Sequence, residues 1–262
     1  MDMMLCRLLL LTLLLSSSGT LAKQILKIGV GNFPPFFIEK QQGGVFIEIT
    51  EALFNELPEY DIEFIFMSNQ RLHHEISNGK SIDVACNIFA AAQVNAHLST
   101  PIFRYSDVAV SRKADDLIIN QISDLQNHSI TAYQGAMDLL GSEFKNMALA
   151  NSKYSEHPRP SHSSFLLIAG HKDIRIGDIN IFLYDLADKD QKIESQRKTR
   201  DYTIHYLWSD VYSHIAFKDE AIRNAINKAI VKLTNNGAIQ KIYKKFEFHN
   251  NGYNKTSLNV QH

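Results

Sequence analysis

Hydrophobic residues over the first third of the chain alternate between two spacings, and this alternation constrains the fold more than any other feature. Residues 25–30, 61–66 and 81–88 are short runs of β type. Between them, residues 46–57 and 71–78 carry apolar side chains at helical spacing. Strands that alternate with helices form parallel sheets with the helices packed on their faces, so this segment predicts an α/β fold.

A second unit with a similar alternation follows. It has predicted strands at residues 108–111 and 129–133, a predicted helix over residues 135–144 and a short helix over residues 163–169. Residues 179–184 form an apolar run that only Asn180 interrupts, which predicts a further strand. The chain is therefore expected to contain two α/β units.

The last part of the chain returns to alternating elements after a polar stretch. Nine of the twelve residues from 189 to 200 are Lys, Arg, Asp, Glu or Gln, which predicts a solvated surface segment. Residues 211–217 predict a strand. Asp219 is a suitable N-cap for a helix whose apolar residues recur over 222–233, and residues 238–246 predict a final helix.

The N-terminus has the three parts of a secretory signal peptide. Arg7 gives a positive start, residues 8–15 form an apolar run that only Thr12 interrupts, and small residues lead to Ala22. The alternative is a membrane anchor, but the run is about half of the roughly 20 residues that a membrane span needs. We therefore predict export to the periplasm of a Gram-negative bacterium, with cleavage after Ala22, so that the mature chain begins at Lys23.

The two cysteines carry little chemistry in this setting. Cys6 lies before the apolar run, which argues against a lipid-anchored protein. Cys86 alone would remain after cleavage, so the mature chain could form no intramolecular disulfide. Because Cys86 lies in a predicted strand, we expect it to be a small core residue.

Charge and motif content exclude several classes of function. The 27 Lys and Arg residues balance 28 Asp and Glu residues, and no basic block occurs, which argues against nucleic-acid binding. The 11 histidines include the neighbours His73 and His74 but no metal-binding spacing. A nucleophile elbow and a phosphate loop are also missing from the sequence. We therefore predict no metal, no cofactor and no catalytic residue.

Short motifs occur in one order along the chain, and their order and spacing together are specific. They are Ile28-Gly29-Val30, Phe33-Pro34-Pro35-Phe36, Gly44-Val45-Phe46-Ile47-Glu48, Asn78-Gly79-Lys80 with Asp83, Leu98-Ser99-Thr100-Pro101, Ile122-Ser123-Asp124-Leu125, Tyr133-Gln134-Gly135, and Asn236-Gly237 with Ile242 and Phe246. With these motifs the chain resembles the bacterial extracellular solute-binding proteins of family 3 over nearly its whole length after residue 22.

The resemblance implies the type II periplasmic binding protein fold, in which two α/β lobes are joined by two hinge segments. Each lobe would have a mixed, mostly parallel sheet flanked by helices. Lobe one would comprise residues 23–111 and 203–262, and lobe two residues 112–202. A small polar, amino acid-like solute would bind in the cleft between the lobes, which would close around it.

The same resemblance implies a monomeric binding protein without catalytic activity. Its partner would be the permease of an ABC transporter or a membrane sensor. An alternative stays open, because secreted cyclohexadienyl dehydratases share this architecture and catalyse an elimination with an acidic residue. Asp185 or Glu48 could serve as that acid, although the sequence offers no paired acid and base.

Departures from the family pattern concern the residues that would grip a ligand carboxylate. Amino acid binders of the family carry Thr-x-x-Arg before Leu98, and the corresponding positions here hold Phe89 and Ala92. Gln93 could donate a hydrogen bond in their place but cannot neutralise a carboxylate. Arg71, at the start of a predicted helix, could face the cleft and supply the missing charge, or it could be a solvated helix residue.

The remaining candidates follow predicted strands. An aromatic residue at the position of Phe33 covers the ligand in the family, with core packing as the alternative. Gly135 and Ala136 begin a helix whose N–H groups could attract an anion. In the family, Asp-Ala-x-x-x-Asp ends in the carboxylate that takes the ligand ammonium, and we align its last residue with Asp185. With one further polar residue, the candidate ligand-binding set is Phe33, Arg71, Asn87, Gln93, Gly135, Ala136 and Asp185.

Overall fold

The computed structural model describes residues 23–187 and 201–246. The predicted signal peptide, the polar segment 189–200 and the C-terminal tail lie outside the described residues. Within them the chain forms two separate β-sheets with helices packed against both.

The first sheet contains the predicted β-α-β-α-β unit. Strands β1, β2 and β3 run parallel, and the helices α1 and α2 connect them. Strand β11 pairs antiparallel with β3, β4 and β5, which gives the order β2-β1-β3-β11-β4 with β5 also on β11. The elements are β1 (Gln24–Val30), α1 (Val45–Phe54), β2 (Tyr60–Phe66), α2 (Asn69–Ser77), β3 (Val84–Ile88), β4 (His97–Leu98), β5 (Phe103–Tyr105) and β11 (Val211–Phe217).

Two helices at the end of the described chain pack against this sheet. They are α7 (Glu220–Asn235) and α8 (Ala238–Phe246). The predicted N-cap of α7 is confirmed, because the Asp219 carboxylate accepts hydrogen bonds from the N–H groups of Ala221 and Ile222 at 2.7 and 3.2 Å.

The second sheet has the order β10-β6-β9-β7-β8. Strands β7, β8 and β9 are parallel, whereas β6 runs antiparallel to both β9 and β10. The strands are β6 (Asp107–Arg112), β7 (Ile130–Tyr133), β8 (Tyr154–His157), β9 (Ile174–Asp178) and β10 (Tyr202–His205). The helices are α3 (Ala136–Leu139), α4 (Ser142–Ala150), α5 (Pro160–Ile168) and α6 (Ile179–Ala187).

The strand predicted at residues 179–184 is wrong, because these residues form helix α6. An apolar run by itself does not distinguish a buried strand from a buried helix, and Ile181, Phe182 and Leu183 are all buried here. The strand lies just before the run, in β9, where one arginine and one glycine break the apolar pattern. Asp178 ends that strand and starts the helix, since its Oδ1 accepts from the N–H groups of Asn180 and Ile181 at 2.7 and 3.1 Å.

The helix predicted over residues 135–144 is two helices, α3 and α4. Gly141 separates them with a positive φ of 90°, a conformation that glycine adopts without steric cost.

The described chain passes between the sheets twice, once at Ser106 and once between β10 and β11. Strand β6 therefore pairs within the second sheet, although the resemblance places residues up to 111 in lobe one. The division of the chain into lobes stays a prediction. None of the described helices combines the length and the apolar character that crossing a membrane requires.

Stacked aromatic rings form part of the hydrophobic core that packs against the first sheet, and Phe46 is at their centre. The ring of Phe46 stacks on those of Phe36 and Phe103, with centroids 4.3 and 4.4 Å away. Cys86 is buried in this core as a free cysteine, and its Sγ lies 3.5 Å from the hydroxyl of Thr50. Burial raises the pKa of the Cys86 thiol to about 12, which keeps the thiol protonated and unreactive.

Candidate functional site

A cleft of about 1140 Å³ is lined by residues from both sheets. Its walls come from the carboxyl ends of the parallel strands: β1, β2 and β3 on one side, and β7, β8 and β9 on the other. Open α/β sheets place their ligand sites at this edge, because the connecting loops there leave a crevice. The cleft is therefore the candidate site.

One wall of the cleft is rich in aromatic rings. Phe33, Phe66, Phe89 and Tyr105 all line it. The ring of Phe33 stands edge-on to that of Phe37, with centroids 5.2 Å apart, so a packed core supports it from behind. Phe33 thus lies at the cleft surface. This wall can cover an apolar or cationic part of a ligand.

Asn87 is a buried polar residue of the same wall. It lies in β3 with a positive φ of 65°, which asparagine tolerates better than most residues. Its Oδ1 accepts hydrogen bonds from the hydroxyls of Tyr105 and Ser213, at 2.7 and 2.8 Å. With the amide oxygen held in this way, the NH₂ group is the part of Asn87 that can serve a ligand.

The opposite wall contains a cluster of buried charges. Asp107 and Asp178 are 5% and 3% exposed, Arg175 is 1% exposed, and all three line the cleft. Asp178 Oδ2 accepts from the backbone N–H of Ser106 at 2.8 Å, and Asp107 Oδ2 accepts from the Tyr133 hydroxyl at 3.0 Å. The Arg175 guanidinium donates from Nη1 to the backbone carbonyl of Asp178 at 2.9 Å.

Gly177 provides room for this cluster. Its φ of 147° lies in a region that side chains disfavour, and a Cβ there would stand 3.2 Å from both Arg175 Nη2 and Tyr133 Cδ1. The glycine in the middle of β9 therefore lets a guanidinium and a phenol ring pack against the strand.

Burial is the main cause of the raised pKa values of the two carboxyl groups in the charged wall. Burial, and then the neighbouring Asp178 carboxylate, raise the pKa of Asp107 to about 7, against the Tyr133 hydroxyl and Arg175. Burial also raises the pKa of Asp178, while the backbone N–H groups that it accepts from oppose the rise. Burial and the neighbouring carboxylate therefore favour the protonated form of Asp107.

The predicted anion anchor at Gly135 and Ala136 is already occupied. Glu156 accepts hydrogen bonds from the N–H groups of Gly135 and Met137 at 2.7 and 3.0 Å, and from the Tyr154 hydroxyl at 2.8 Å. Gly135 lines the cleft, but Ala136 is fully buried beneath it. An incoming carboxylate would meet the negative charge of Glu156, so these contacts give no support to the prediction of an anion anchor here.

Two further candidates lie away from the cleft. Arg71 has a side chain that is 60% exposed, and its Nε lies 3.9 Å from Glu75 Oε1 one helical turn away. Gln93 is exposed at the end of the short 3₁₀ turn Ala90–Ala92 and has a left-handed φ of 47°. Neither residue is among those that line the cleft, so this geometry gives no support to either as a ligand contact.

The positions where amino acid binders of the resembled family carry Thr and Arg do face the cleft. Phe89 and Ala92 occupy them, and both line the wall. The two positions that differ from the family pattern therefore lie in the site itself. They give it an apolar surface where family members that bind amino acids hold the ligand carboxylate.

Asp185 lines the cleft from helix α6 and is 6% exposed. The family spacing that ends at Asp185 would begin at Asn180, which replaces the first Asp, whereas the full spacing Asp-x-x-x-x-Asp runs from Asp173 to Asp178. Only the second alignment ends at the carboxyl end of a strand, so Asp178 is the residue that sequence reasoning missed. Placing the strand over Arg175 and Gly177 would have revealed it.

Other residues of the cleft carry charge that the sequence patterns did not single out. Arg159 is exposed at the mouth, just before helix α5, and His73 lines the first wall from helix α2. Burial lowers the pKa of His73, which favours its neutral form. Among the described residues, no three His, Cys, Asp or Glu side chains are grouped to hold a metal ion.

Comparison with known proteins identifies a family over most of the chain. The model of the bacterial extracellular solute-binding proteins, family 3, matches residues 26–250. No curated protein matches the sequence.

Solved structures share the fold at low sequence identity. An ancestral arginine-binding protein bound to glutamine is 22% identical with a TM-score of 0.66, over 86% of this chain and 99% of that one. A histidine kinase sensor domain with similarity to periplasmic binding proteins is 16% identical with a TM-score of 0.68, over 86% of this chain and 97% of that one. An amino acid ABC transporter substrate-binding protein from Streptococcus pneumoniae, bound to L-arginine, is 20% identical with a TM-score of 0.65, over 85% of this chain and 94% of that one.

Proposed function

Since this chain belongs to family 3 of the bacterial extracellular solute-binding proteins, we propose that it captures a small polar solute in the cleft and delivers it to a membrane partner. The chain has the two-lobed type II fold of periplasmic binding proteins. The single observation that carries the proposal is the cleft of about 1140 Å³ at the carboxyl ends of six parallel strands, three from each sheet.

The size and lining of the cleft suit an amino acid-like solute. Its volume slightly exceeds the usual range of small-molecule sites, as expected for a cleft that closes on its ligand. An aromatic wall faces a wall of buried charges, so one side can cover a ligand body while the other pairs with polar groups. No chemical step is needed for this function, because affinity comes from enclosing the ligand.

The membrane partner is proposed to be an ABC transporter permease, with a membrane sensor as the alternative. Proteins of the same fold include a transporter component and a histidine kinase sensor domain. A signal peptide cleaved after Ala22 would bring the mature chain to the periplasm as a monomer, where either partner could meet it. Growth of a strain that lacks the chain on single solutes would distinguish uptake from sensing.

A thermal-shift screen tests the capture of solutes. Amino acids, polyamines, organic acids and small peptides are added singly, and a bound solute at 100 times its Kd stabilises the folded state by about 2.7 kcal/mol. We expect at least one such shift. Ala92→Trp, which fills the cleft, should remove it, whereas Ala150→Trp on exposed helix α4 should preserve it. A screen without any shift would contradict the proposal.

A lyase on the same fold is the second candidate, and Asp107 favours it. A buried carboxyl group whose pKa is about 7 lies in the range that general acid–base catalysis uses. Incubation with prephenate or arogenate, followed by chromatography of the products, tests this candidate. Turnover that Asp107→Asn abolishes would replace solute capture as the function.

A further inference from the structure

The turn into helix α3 grips a carboxylate, and that carboxylate belongs to the chain itself. The N–H groups of Gly135 and Met137 donate to different oxygens of Glu156, to Oε2 at 2.7 Å and to Oε1 at 3.0 Å. The Tyr154 hydroxyl also donates to Oε1, at 2.8 Å. Three donors therefore surround one negative charge and hold both of its oxygens, as strong recognition of a carboxylate requires.

The register of the second sheet brings Glu156 to this turn. Strands β7 and β8 run parallel with Ala132 opposite Glu156, which places the glutamate beside the end of β7, where the chain turns into α3. Gly135 lines the cleft, whereas Glu156 is not among the lining residues. Glu156 thus fills the turn from behind, and Gly135 presents the filled turn to the cleft.

The rest of the cleft offers a solute carboxylate little compensation. Phe89 and Ala92 make part of the facing wall apolar. Two guanidiniums line the described part of the cleft: Arg175 is 1% exposed and donates to the carbonyl of Asp178, and Arg159 is exposed at the mouth, where water screens its charge. Five carboxyl groups line the same cleft, and they are those of Glu39, Asp107, Asp138, Asp178 and Asp185.

We propose that Glu156 is a specificity-determining residue: it occupies a carboxylate grip beside the cleft, so that the protein captures small polar solutes without a carboxylate, such as amines and amides, and rejects free amino acids. This inference rests on the proposed function and narrows its class of solute. Selection of this kind needs a repulsive element against the competitor, and here that element is a fixed negative charge behind donors that are already used.

Calorimetry with matched pairs of solutes tests this selection on the unaltered protein. L-leucinamide is compared with L-leucine, L-argininamide with L-arginine, and 1,4-diaminobutane with L-ornithine. The amide and the acid of the first two pairs have nearly the same shape and differ in the charge of one group. In each pair that binds, we expect the member without a carboxylate to bind ten-fold or more tightly.

A variant without the charge should relax the selection. Glu156→Gln keeps the shape of the side chain, and it should raise the affinity for the acid of a pair ten-fold or more while the affinity for the amide changes by about three-fold at most. Glu143→Gln removes a charge from an exposed position of helix α4 and should leave both affinities unchanged.

Removal of the whole carboxylate gives a test that needs no solute. Glu156→Ala leaves the N–H groups of Gly135 and Met137 without their acceptor. Potassium formate should therefore raise the melting temperature of this variant more than potassium chloride does at equal ionic strength. The unaltered protein and Glu143→Ala should respond equally to the two salts.

Three results would overturn the proposal and leave solute capture intact. They are an acid that binds as tightly as its amide or amine, a folded Glu156→Gln variant with no gain in affinity for the acid, and an equal response of Glu156→Ala to formate and chloride. A protein that binds no solute in these pairs or in the thermal-shift screen would overturn the proposed function as well.

Discussion

At the scale of single residues, the charged wall comes from a buried strand whose sequence contains an arginine, a glycine and an aspartate. Strand β9 places Arg175 and Asp178 in almost complete burial, with Gly177 between them. A buried charge is tolerated only where partners surround it, and here backbone groups, a tyrosine and opposite charges do so. The position of each residue in this wall thus depends on its neighbours.

Substitution of Gly177 tests how tightly the wall is packed. Gly177→Ala should lower the free energy of unfolding by about 1–3 kcal/mol more than Gly141→Ala does, because its Cβ would crowd Arg175 and Tyr133. Gly141 also has a positive φ but has no heavy atom within 4 Å of the added Cβ, so it controls for backbone strain. Urea denaturation measures both variants. Equal losses of unfolding free energy in the two variants would show that Arg175 and Tyr133 move to accommodate the added methyl group.

The proton held by Asp107 should appear in the pH dependence of stability. Its pKa rises from 3.8 to about 7 on folding, so between these values the folded state binds a proton that the unfolded state lacks. Stability from this group is complete below about pH 4 and is lost as the pH rises through 7, by at most about 1.4 kcal/mol per pH unit.

Asp107→Asn should therefore be less dependent on pH than the unaltered protein. The difference in melting temperature between the two should move in favour of the variant from pH 5 to pH 8, as measured without ligand. A constant difference across this range would show that Asp107 titrates with its usual pKa.

At the scale of elements, two carboxylates decide where helices begin. Asp178 caps α6, and Glu156, from the neighbouring strand β8, holds the N–H groups at the start of α3. Local sequence around Gly135 does not contain Glu156, which lies 21 residues away. Sequence patterns consequently predict a helix start that is open to ligand, whereas the folded chain fills it.

Glu156→Gln should destabilise the protein by about 1–3 kcal/mol, since hydrogen bonds to a charged acceptor are lost or weakened. It should also lower the pKa of Tyr154, which burial and then the Glu156 carboxylate raise. Chemical denaturation and a spectrophotometric tyrosine titration measure the two effects. Glu59→Gln, at an exposed position, is the control. An unchanged stability would mean that α3 needs no cap.

At the scale of the whole molecule, two short segments of the described chain connect the two sheets. Ser106, in the first segment, donates to Asp210 Oδ1 in the second at 2.5 Å, and Arg104 Nε lies 3.8 Å from Asp210 Oδ2. With two connections so close together, we expect the lobes to rotate about them while each core stays packed. The sequence resemblance places the hinges nearby, at residues 110–114 and 200–206.

Closure of the lobes should reduce the size of the molecule in solution. We expect the radius of gyration from small-angle X-ray scattering to fall when a solute that shifts the melting temperature is added. A solute that gives no shift serves as the control and should leave the radius unchanged. An equal radius with and without a bound solute would contradict closure.

Export predicts a defined N-terminus. Intact mass measurement of the protein from the periplasm should give a mature chain that begins at Lys23, because the signal peptidase would cut after Ala22. Cytoplasmic protein made without the first 22 residues provides the reference mass. A retained Met1 or a lipidated Cys6 would contradict the predicted compartment.

The sequence by itself determined the class of fold and the order of most elements. The alternation of spacings over residues 25–88 specifies β1 to β3 with their helices, because period-2 and period-3.6 patterns can each bury only one kind of surface. The motif order indicated the family, and the resemblance to that family made Phe33 a candidate for the cleft.

Only the tertiary structure decided the contents of the charged wall. Asp107 and Asp178 are 71 residues apart and become partners through the register of β6 and β9. Neither that register nor the burial of Arg175 follows from local spacing. Burial and charge neighbours are properties of the packed chain, so the protonation of Asp107, the filling of the α3 start by Glu156 and the exposure of Arg71 could be decided only there.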